Sequence, residues 1–365
     1  MRAMILAAGY GTRLWPLTID RAKPAIPFMG QPLVGYVAEY LARFGCREVA
    51  VNLHHQPATV RAALGDGARF GVHLEYFDEP TILGTSGALD NARAFLERDT
   101  FVVINGKLAT NIDLSEALAT HRRMDALATL VLRPNIERER YTIINVHNGL
   151  YAGLGGFPAS DKVRDAHSVP LANESSGVST SGASDSGAQS SEHESAIRYP
   201  QSVIEDAPLM FTGIHIMEPR IFDYIPRGVF SDSITDVYPQ AMRAGERIAA
   251  HIGRGYWYEL STVPRYLDTS LALMRREGRN VELGHGSHIE ADADVQDAVL
   301  WESVHVESGA RVRRAVLGAG VRVARGELIE GAAVVRAELL RDAPRPAKGL
   351  AGFIRGENFV APLVG

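Results

Sequence analysis

The chain has almost no cysteine. Its 365 residues include one, Cys46, so no disulfide can form within it, and the composition fits a reducing compartment. Cys46 follows Phe44-Gly45, an apolar-rich context that suits a buried inert thiol rather than a nucleophile. Long apolar runs are also missing: none reaches the ~18 residues that a membrane-crossing helix needs. The first residues lack the charged, apolar and cleavable order of a secretion signal. A cytoplasmic protein with no membrane partner is therefore expected. There is no basic excess either. Lys and Arg number 38 against 43 Asp and Glu, a net charge of −5, which argues against broad nucleic-acid binding. Any cationic site must be local. His54 and His55 are adjacent with no Cys or His cluster near them. A zinc site needs three or four ligands, so they read as loop residues at a strand end.

What is present is ordinary for a globular protein: 46% hydrophobic and 22% charged residues, in a length sufficient for two domains. The most informative stretch runs from Met4 to Gly30, MILAAGYGTRLWPLTIDRAKPAIPFMG. Met4-Ile5-Leu6 can end a buried strand. Ala7-Ala8-Gly9-Tyr10-Gly11-Thr12 follows as a small-residue loop, and glycine there permits positive φ and close backbone approach. Arg13, Arg21 and Lys23 come next, with only Asp20 opposing them. A small-residue loop after a strand, followed by fixed cations, suits a nucleoside triphosphate. It is neither the P-loop pattern nor the G-x-G-x-x-G fingerprint.

Strand and helix then alternate. Helices are expected at 33–44, 57–64 and 85–96, and strands at 48–53, 72–77 and 100–105. Such alternation predicts an α/β, Rossmann-like fold with a mainly parallel sheet covered on both faces. Ligands in such sheets bind beyond the carboxyl ends of the strands. The loop 7–13, the turn 79–88 and the turn 105–113 all fall there. In the second of these, Gly84 and Gly87 permit close approach of backbone and Thr85 can cap the following helix. The third reads Asn105-Gly106-Lys107. Further strands are expected at 126–132, 141–146 and 209–217, a helix at 233–244, and a closing helix at 265–275.

Leu6-Ala7-Ala8-Gly9-x-Gly11-Thr12-Arg13-Leu14-x-Pro16-Leu17-Thr18, with Lys23-Pro24 and Pro27, resembles the signature of the sugar-phosphate nucleotidyltransferases. Leu83-Gly84-Thr85-x-Gly87 is similar to that family's base-binding segment, and Ile82 before it leaves base reading to backbone groups, nearer the guanylyltransferase branch. The resemblance implies that Leu6, Ala7, Ala8, Gly9, Gly11 and Thr12 wrap the triphosphate. It implies that Arg13 and Lys23 steady the phosphates, and that Asn105 and Gly106 join the nucleotide site. Thr212 and Gly213 fall where the family meets the sugar. Trp257-Tyr258-Glu259 resembles the W-x-D element that supplies a magnesium carboxylate. Two departures stand out. Lys107 takes the place of the family's metal-binding Asp, and no Glu-Lys-Pro triplet appears where expected; Glu205-Asp206-Ala207-Pro208 lacks the cation. Mg²⁺ is expected to arrive with the triphosphate, with Glu259 as its protein ligand and Lys107 as an added catalytic cation beside Arg13 and Lys23.

The first domain is read as 1–278, interrupted by a Ser/Gly-rich insertion at about 159–198 whose composition predicts disorder. Beyond it Ile289, Val295 and Leu300 recur after seventeen residues as Val306, Val312 and Leu317, and again as Val323, Ile329 and Val334. Steps of six, six and five residues predict a left-handed parallel β-helix of about three coils over 281–343. A tail at 344–365 has no clear period and either packs back or stays mobile. The expected reaction joins a sugar 1-phosphate to a nucleoside triphosphate, mannose 1-phosphate with GTP being preferred. The expected partners are those two substrates and further copies of the chain through the β-helix. Glucose 1-phosphate with dTTP or UTP, a non-catalytic regulatory relative, and an acyltransferase using His285, His288 or His305 are the alternatives.

Overall fold

The computed structural model describes residues 1–155, 204–341 and 343–363. The insertion at 159–198 lies outside the described residues. Strands β1 (Arg2–Leu6), β2 (Glu48–Leu53), β3 (His73–Asp78) and β4 (Phe101–Asn105) pair in parallel in the order β3-β2-β1-β4. The chain then makes β5 (Leu108–Thr110), β6 (Ala128–Pro134), β7 (Ile144–His147), β8 (Leu150–Leu154), β9 (Leu209–Met217), β10 (Ile248–Ile252) and β11 (Trp257–Glu259). All but β5 and β11 extend the same sheet, whose order is β3-β2-β1-β4-β9-β6-β10-β8-β7. β9 runs antiparallel between β4 and β6, whereas β10 pairs in parallel with β6. The parallel run expected from alternation is thus real at β3 to β4 and is interrupted by β9.

Both faces of the sheet are covered, which is why its strands read as continuous apolar runs. Ala3, Ile5, Val51, Val102 and Ile104 face helix α1 (Leu33–Arg43), which buries Leu33, Val34, Val37, Tyr40 and Leu41 at helical spacing. Met4, Ala50, Phe101 and Val103 face α2 (Gly84–Asn91) on the other side. The expected helix at 85–96 is two, because the backbone leaves helical geometry at Ala92 before Arg93–Leu96. The expected helix at 233–244 likewise opens with a wider turn, Ser233–Val237. There the Asp232 carboxylate accepts from the Ile234 and Thr235 N–H groups before Tyr238–Arg243 continues.

After α3 (Val263–Arg276) the chain coils. β12 (Val281–Leu283), β13 (Asp294–Leu300), β14 (Arg311–Leu317) and β15 (Ala332–Arg336) stack in parallel. The expected columns meet in register, with Val295 against Val312, Val312 against Ile329, Leu300 against Leu317, Leu317 against Val334, and Val306 against Val323. These side chains fill the coil interior. The tail packs back: Asn358–Pro362 pairs antiparallel with β15, and Phe353–Arg355 pairs with it as a hairpin. That hairpin closes an edge which would otherwise be unpaired.

A third core joins coil and sheet layer, bringing Leu14, Trp15, Leu17, Tyr266 and Leu267 against Val299, Trp301 and Val316. The Trp301 indole donates to the Tyr266 hydroxyl at 3.0 Å. Arg21, grouped by sequence with the phosphate-facing cations, belongs here. It pairs with Glu302 at 2.6 Å and with Asp20, and lies 5.0 Å over the Trp301 ring. Sequence distance hid this role, since Glu302 is 281 residues away.

Candidate active site

The carboxyl ends of β1 and β4 open onto a cavity of about 460 Å³. Leu6, Ala7, Ala8, Gly9, Gly11, Thr12, Arg13, Lys23, Gly84, Thr85, Asn105, Gly106 and Lys107 all line it. The three segments singled out by sequence therefore converge. Gly106 N–H donates to Leu6 O at 2.9 Å, holding the first and third together. Gly11 has φ +67°, and a Cβ there would lie 2.9 Å from the Lys23 Cβ. Glycine at this position lets Lys23 come under the loop.

Two buried residues tie the loop to the second segment. Ala7 N–H donates to Asn52 Oδ1 at 2.7 Å, Asn52 Nδ2 donates to Glu79 Oε1 at 2.7 Å, and Leu83 N–H donates to Glu79 Oε2 at 3.0 Å. Asn52 and Glu79 also line the cavity. Sequence reading did not single out Asn52; the available signal was one amide in the otherwise apolar strand EVAVNL. Asp232 and Ser261 are further lining residues that the sequence did not mark.

The second segment corrects one expectation. Thr85 makes no capping bond. Its hydroxyl donates to Asp232 Oδ2 at 3.0 Å instead. The closest backbone approach to its glycines comes from the chain itself. A Cβ on Gly84 (φ +76°) would meet Ser231 O at 2.6 Å, and one on Gly87 would meet Val229 O at 2.6 Å. Gly84 still lines the cavity; Gly87 does not.

The cavity is electrically polar. Arg13, Lys23 and Lys107 line it at one set of positions, Glu79 and Asp232 at another. Lys23 keeps some exposed surface along the wall, yet desolvation of its ammonium dominates. Helped by the charges of Lys107 and Arg13 and opposed by Glu259, it pushes the group from 10.5 down to about 7.

Lys107 and Glu259 meet because β5 and β11 form a two-stranded ribbon, with Leu108 opposite Glu259. Leu260 N–H donates to Lys107 O at 2.8 Å. The Lys107 ammonium donates to Glu259 Oε1 at 2.5 Å. Glu259 faces a second cavity, of about 560 Å³, lined also by Arg133, Glu139, Tyr141, Trp257 and Arg265. There Arg265 pairs with Glu139 at 2.7 Å, and burial raises the Glu139 carboxyl. Thr212 and Gly213 line neither cavity. The Thr212 hydroxyl donates to Val131 O and its carbonyl accepts the Trp257 indole N–H at 2.8 Å. The space a Cβ of Gly213 would take is filled by the Asn105 amide.

Cys46 is buried, its thiol pushed up to about 11. His54 Nδ1 donates to Glu79 O at 2.8 Å and its Nε2 meets the Tyr10 hydroxyl at 3.1 Å, in the loop after β2. Among the described residues no helix is long and apolar enough to cross a membrane.

The family that the sequence resembles generally uses Mg²⁺. Among the described residues no group of three or more His, Cys, Asp or Glu is placed to hold a metal ion. The one carboxylate expected to serve, Glu259, is engaged by an ammonium. With Lys107 standing where the resemblance expects a metal-binding Asp and Glu259 paired to it, this pair does not fit a protein-held divalent ion.

A UTP–glucose-1-phosphate uridylyltransferase of Synechocystis is 28% identical over 321 residues, covering 84% of this chain and 72% of that one. A mannose-1-phosphate guanylyltransferase of Mycobacterium tuberculosis is 26% identical over 342 residues, covering 86% and 83%. A solved structure from Bacillus anthracis, named as a glucose-1-phosphate thymidylyltransferase, matches the fold with a TM-score of 0.56 at 21% identity, over 75% of this chain and 95% of that one. The model of a GlmU-like, C-terminal hexapeptide region matches residues 277–334. The nucleotidyl transferase model matches residues 2–276, and the chain belongs to that family.

Proposed function

We propose that the chain joins a sugar 1-phosphate to a nucleoside triphosphate and releases pyrophosphate, with mannose 1-phosphate and GTP as the preferred pair. The observation that carries this reading is the cavity that gathers the loop 7–13, Arg13, Lys23 and Lys107 at the carboxyl ends of the parallel strands. A phosphate oxygen of the sugar phosphate attacks the α-phosphorus. The new P–O bond forms as the α–β P–O bond breaks, and pyrophosphate takes the electron pair. The chemistry needs no covalent nucleophile; positioning and charge stabilisation supply the rate. Arg13, Lys23 and Lys107 hold the phosphates and balance the charge that moves to pyrophosphate. The second cavity offers the acceptor aromatic faces at Trp257 and Tyr141 and guanidinium groups at Arg133 and Arg265.

Three features support a guanine base. Ile82 presents no side-chain hydrogen bond. Asp232 places a carboxylate in the cavity; its Oδ1 is taken by the Ile234 and Thr235 N–H groups, and its Oδ2, which accepts from Thr85, keeps one acceptor direction for a guanine N–H donor. The Mycobacterium relative, similar over most of its length, is named a guanylyltransferase. A matrix of triphosphates against sugar 1-phosphates, scored by pyrophosphate release, tests the pairing. Release with UTP or dTTP and glucose 1-phosphate, but none with GTP, moves the reading to that branch.

The Lys107–Glu259 pair favours one second reading, a nucleotide-binding regulatory relative without turnover. Tight triphosphate binding with no pyrophosphate release from any pair selects it. The coil, taken as left-handed from its hexapeptide spacing, is the surface through which copies of the chain associate. Light scattering of the full chain at a multiple of the chain mass supports this, and a monomer overturns it.

A further inference from the structure

The Lys107–Glu259 pair stands where two cavities meet. Lys107 lines the first, and Glu259 lines the second. Lys107 keeps 31% of its side-chain surface exposed and Glu259 keeps 10%, so the ammonium is the more accessible partner. Both are carried by the β5–β11 ribbon rather than by a loose loop. The ribbon is anchored below by the Trp257 indole bond to Thr212 O. Its two strands are further tied to each other by Thr110, whose hydroxyl donates to Tyr256 O at 2.7 Å. The pair is therefore preorganised.

Its charge balance matters. Lys107 and Glu259 sum to zero, and Lys23 and Arg13 are close enough for their charges to act with those two. A divalent cation entering this corner meets one carboxylate, already neutralised by Lys107, with Arg13 and the part-charged Lys23 beside it. Coulomb's law makes that corner repulsive to a dication and attractive to a polyanion. Mg²⁺ is held in proteins by one or more carboxylates together with phosphates and waters. Lysine, in contrast, binds phosphate as a point charge.

We infer that Lys107, held by Glu259, is a resident cation that takes over at the cavity junction the charge role of a protein-bound metal ion, so that this chain binds a nucleoside triphosphate without any divalent metal. The inference rests on the triphosphate reading of the first cavity and deepens it. Arg13, Lys23 and Lys107 form the anion site, and Glu259 is a positioning residue that fixes where the Lys107 ammonium stands.

The test is isothermal titration of the full chain with GTP and with UTP, in EDTA and in excess Mg²⁺. A parallel Mn²⁺ titration is followed by electron paramagnetic resonance. The wild-type Kd should agree within about threefold between the two conditions, and no protein-bound Mn²⁺ should appear without nucleotide. Lys107→Met should weaken binding in EDTA at least about tenfold, and Lys107→Arg should recover part of that loss. Lys107→Asp should lose binding in EDTA, regain it with Mn²⁺ and show a bound Mn²⁺ signal. Wild-type binding that needs Mg²⁺, or a Mn²⁺ site in the wild-type chain, overturns the inference and leaves the nucleotide reading standing. Failure of both triphosphates to bind under either condition overturns the nucleotide reading itself. The wild-type measurements decide even if a Lys107 variant does not fold.

Discussion

Lys23 gives the sharpest test of the anion site, through pH. Its ammonium, ordinarily near 10.5, is pushed to about 7 by desolvation and by the neighbouring charges of Lys107 and Arg13, with Glu259 opposing. Lys23 is thus about half charged at pH 7 before ligand arrives. A triphosphate beside it favours the charged form and restores the pKa toward its ordinary value. Binding then takes up a proton, close to one-half per site at pH 7 and approaching one at pH 8.5. Affinity falls as pH rises through that window, because a growing fraction of protein must first be protonated. With a free pKa of about 7 and a bound pKa above 9, the Kd at pH 8.5 is roughly fifteenfold weaker than at pH 7, or ~1.6 kcal/mol. The window lies above the second ionisation of a terminal phosphate, about 6, so the ligand contributes little to the slope.

Titration calorimetry in buffers of different ionisation enthalpy reads the proton uptake directly. Lys23→Met should bind at least about tenfold more weakly at pH 7 and show a flat pH profile. The same linkage has the opposite sign for the empty protein. Its folded pKa lies below the unfolded one, so the unfolded chain binds more protons between about 7 and 10.5, and stability rises with pH there by up to ~1.4 kcal/mol per pH unit. The penalty is fully present below pH 7. Urea melts at pH 7 and 8.5 should show that gain in wild type and not in Lys23→Met. Zero proton uptake, with equal affinity at both pH values, refutes the placement of Lys23 against the phosphates.

Arg13→Ala should weaken triphosphate binding at least about tenfold, because a charge-assisted contact is worth about 1.5–3 kcal/mol; an unchanged titration returns the loop 7–13 to a plain turn. Gly84→Ala should destabilise the fold by about 1–3 kcal/mol in urea melts, since φ is +76° and the new Cβ meets Ser231 O at 2.6 Å. A neutral melt shows that the 229–231 loop yields freely. Trp301→Ala should cost about 3–5 kcal/mol, as its ring is buried between coil and sheet layer and bonded to Tyr266. A loss below about 1 kcal/mol by thermal or urea denaturation indicates that the coil is not part of the same cooperative unit.

Local pattern carried a large share of the fold. Helical spacing over Leu33–Arg43, the apolar runs at Glu48–Leu53 and Phe101–Asn105, and the seventeen-residue columns from Ile289 to Val334 depend only on which face of a periodic element is buried. That face is written in the order of residues, so it is legible before folding. The strand-end loop Ala7–Arg13 and the departure at Lys107 were legible for the same reason: each is a local choice of residue type.

What joined those pieces was decided in three dimensions. Sequence could not tell that Arg21 reaches Glu302 and Trp301 rather than a ligand, since the partner lies 281 positions away. Nor could it show that the closest backbone to Gly84 is the 229–231 loop, that Thr85 bonds Asp232 instead of capping a helix, or that Asn52 and Glu79 tie two segments together. The low Lys23 pKa also arises only when desolvation and the charges of Lys107 and Arg13, from two other segments, are brought around one ammonium. A residue's type and its local period follow from the chain; its partners, its water and its field depend on every segment that folding packs against it.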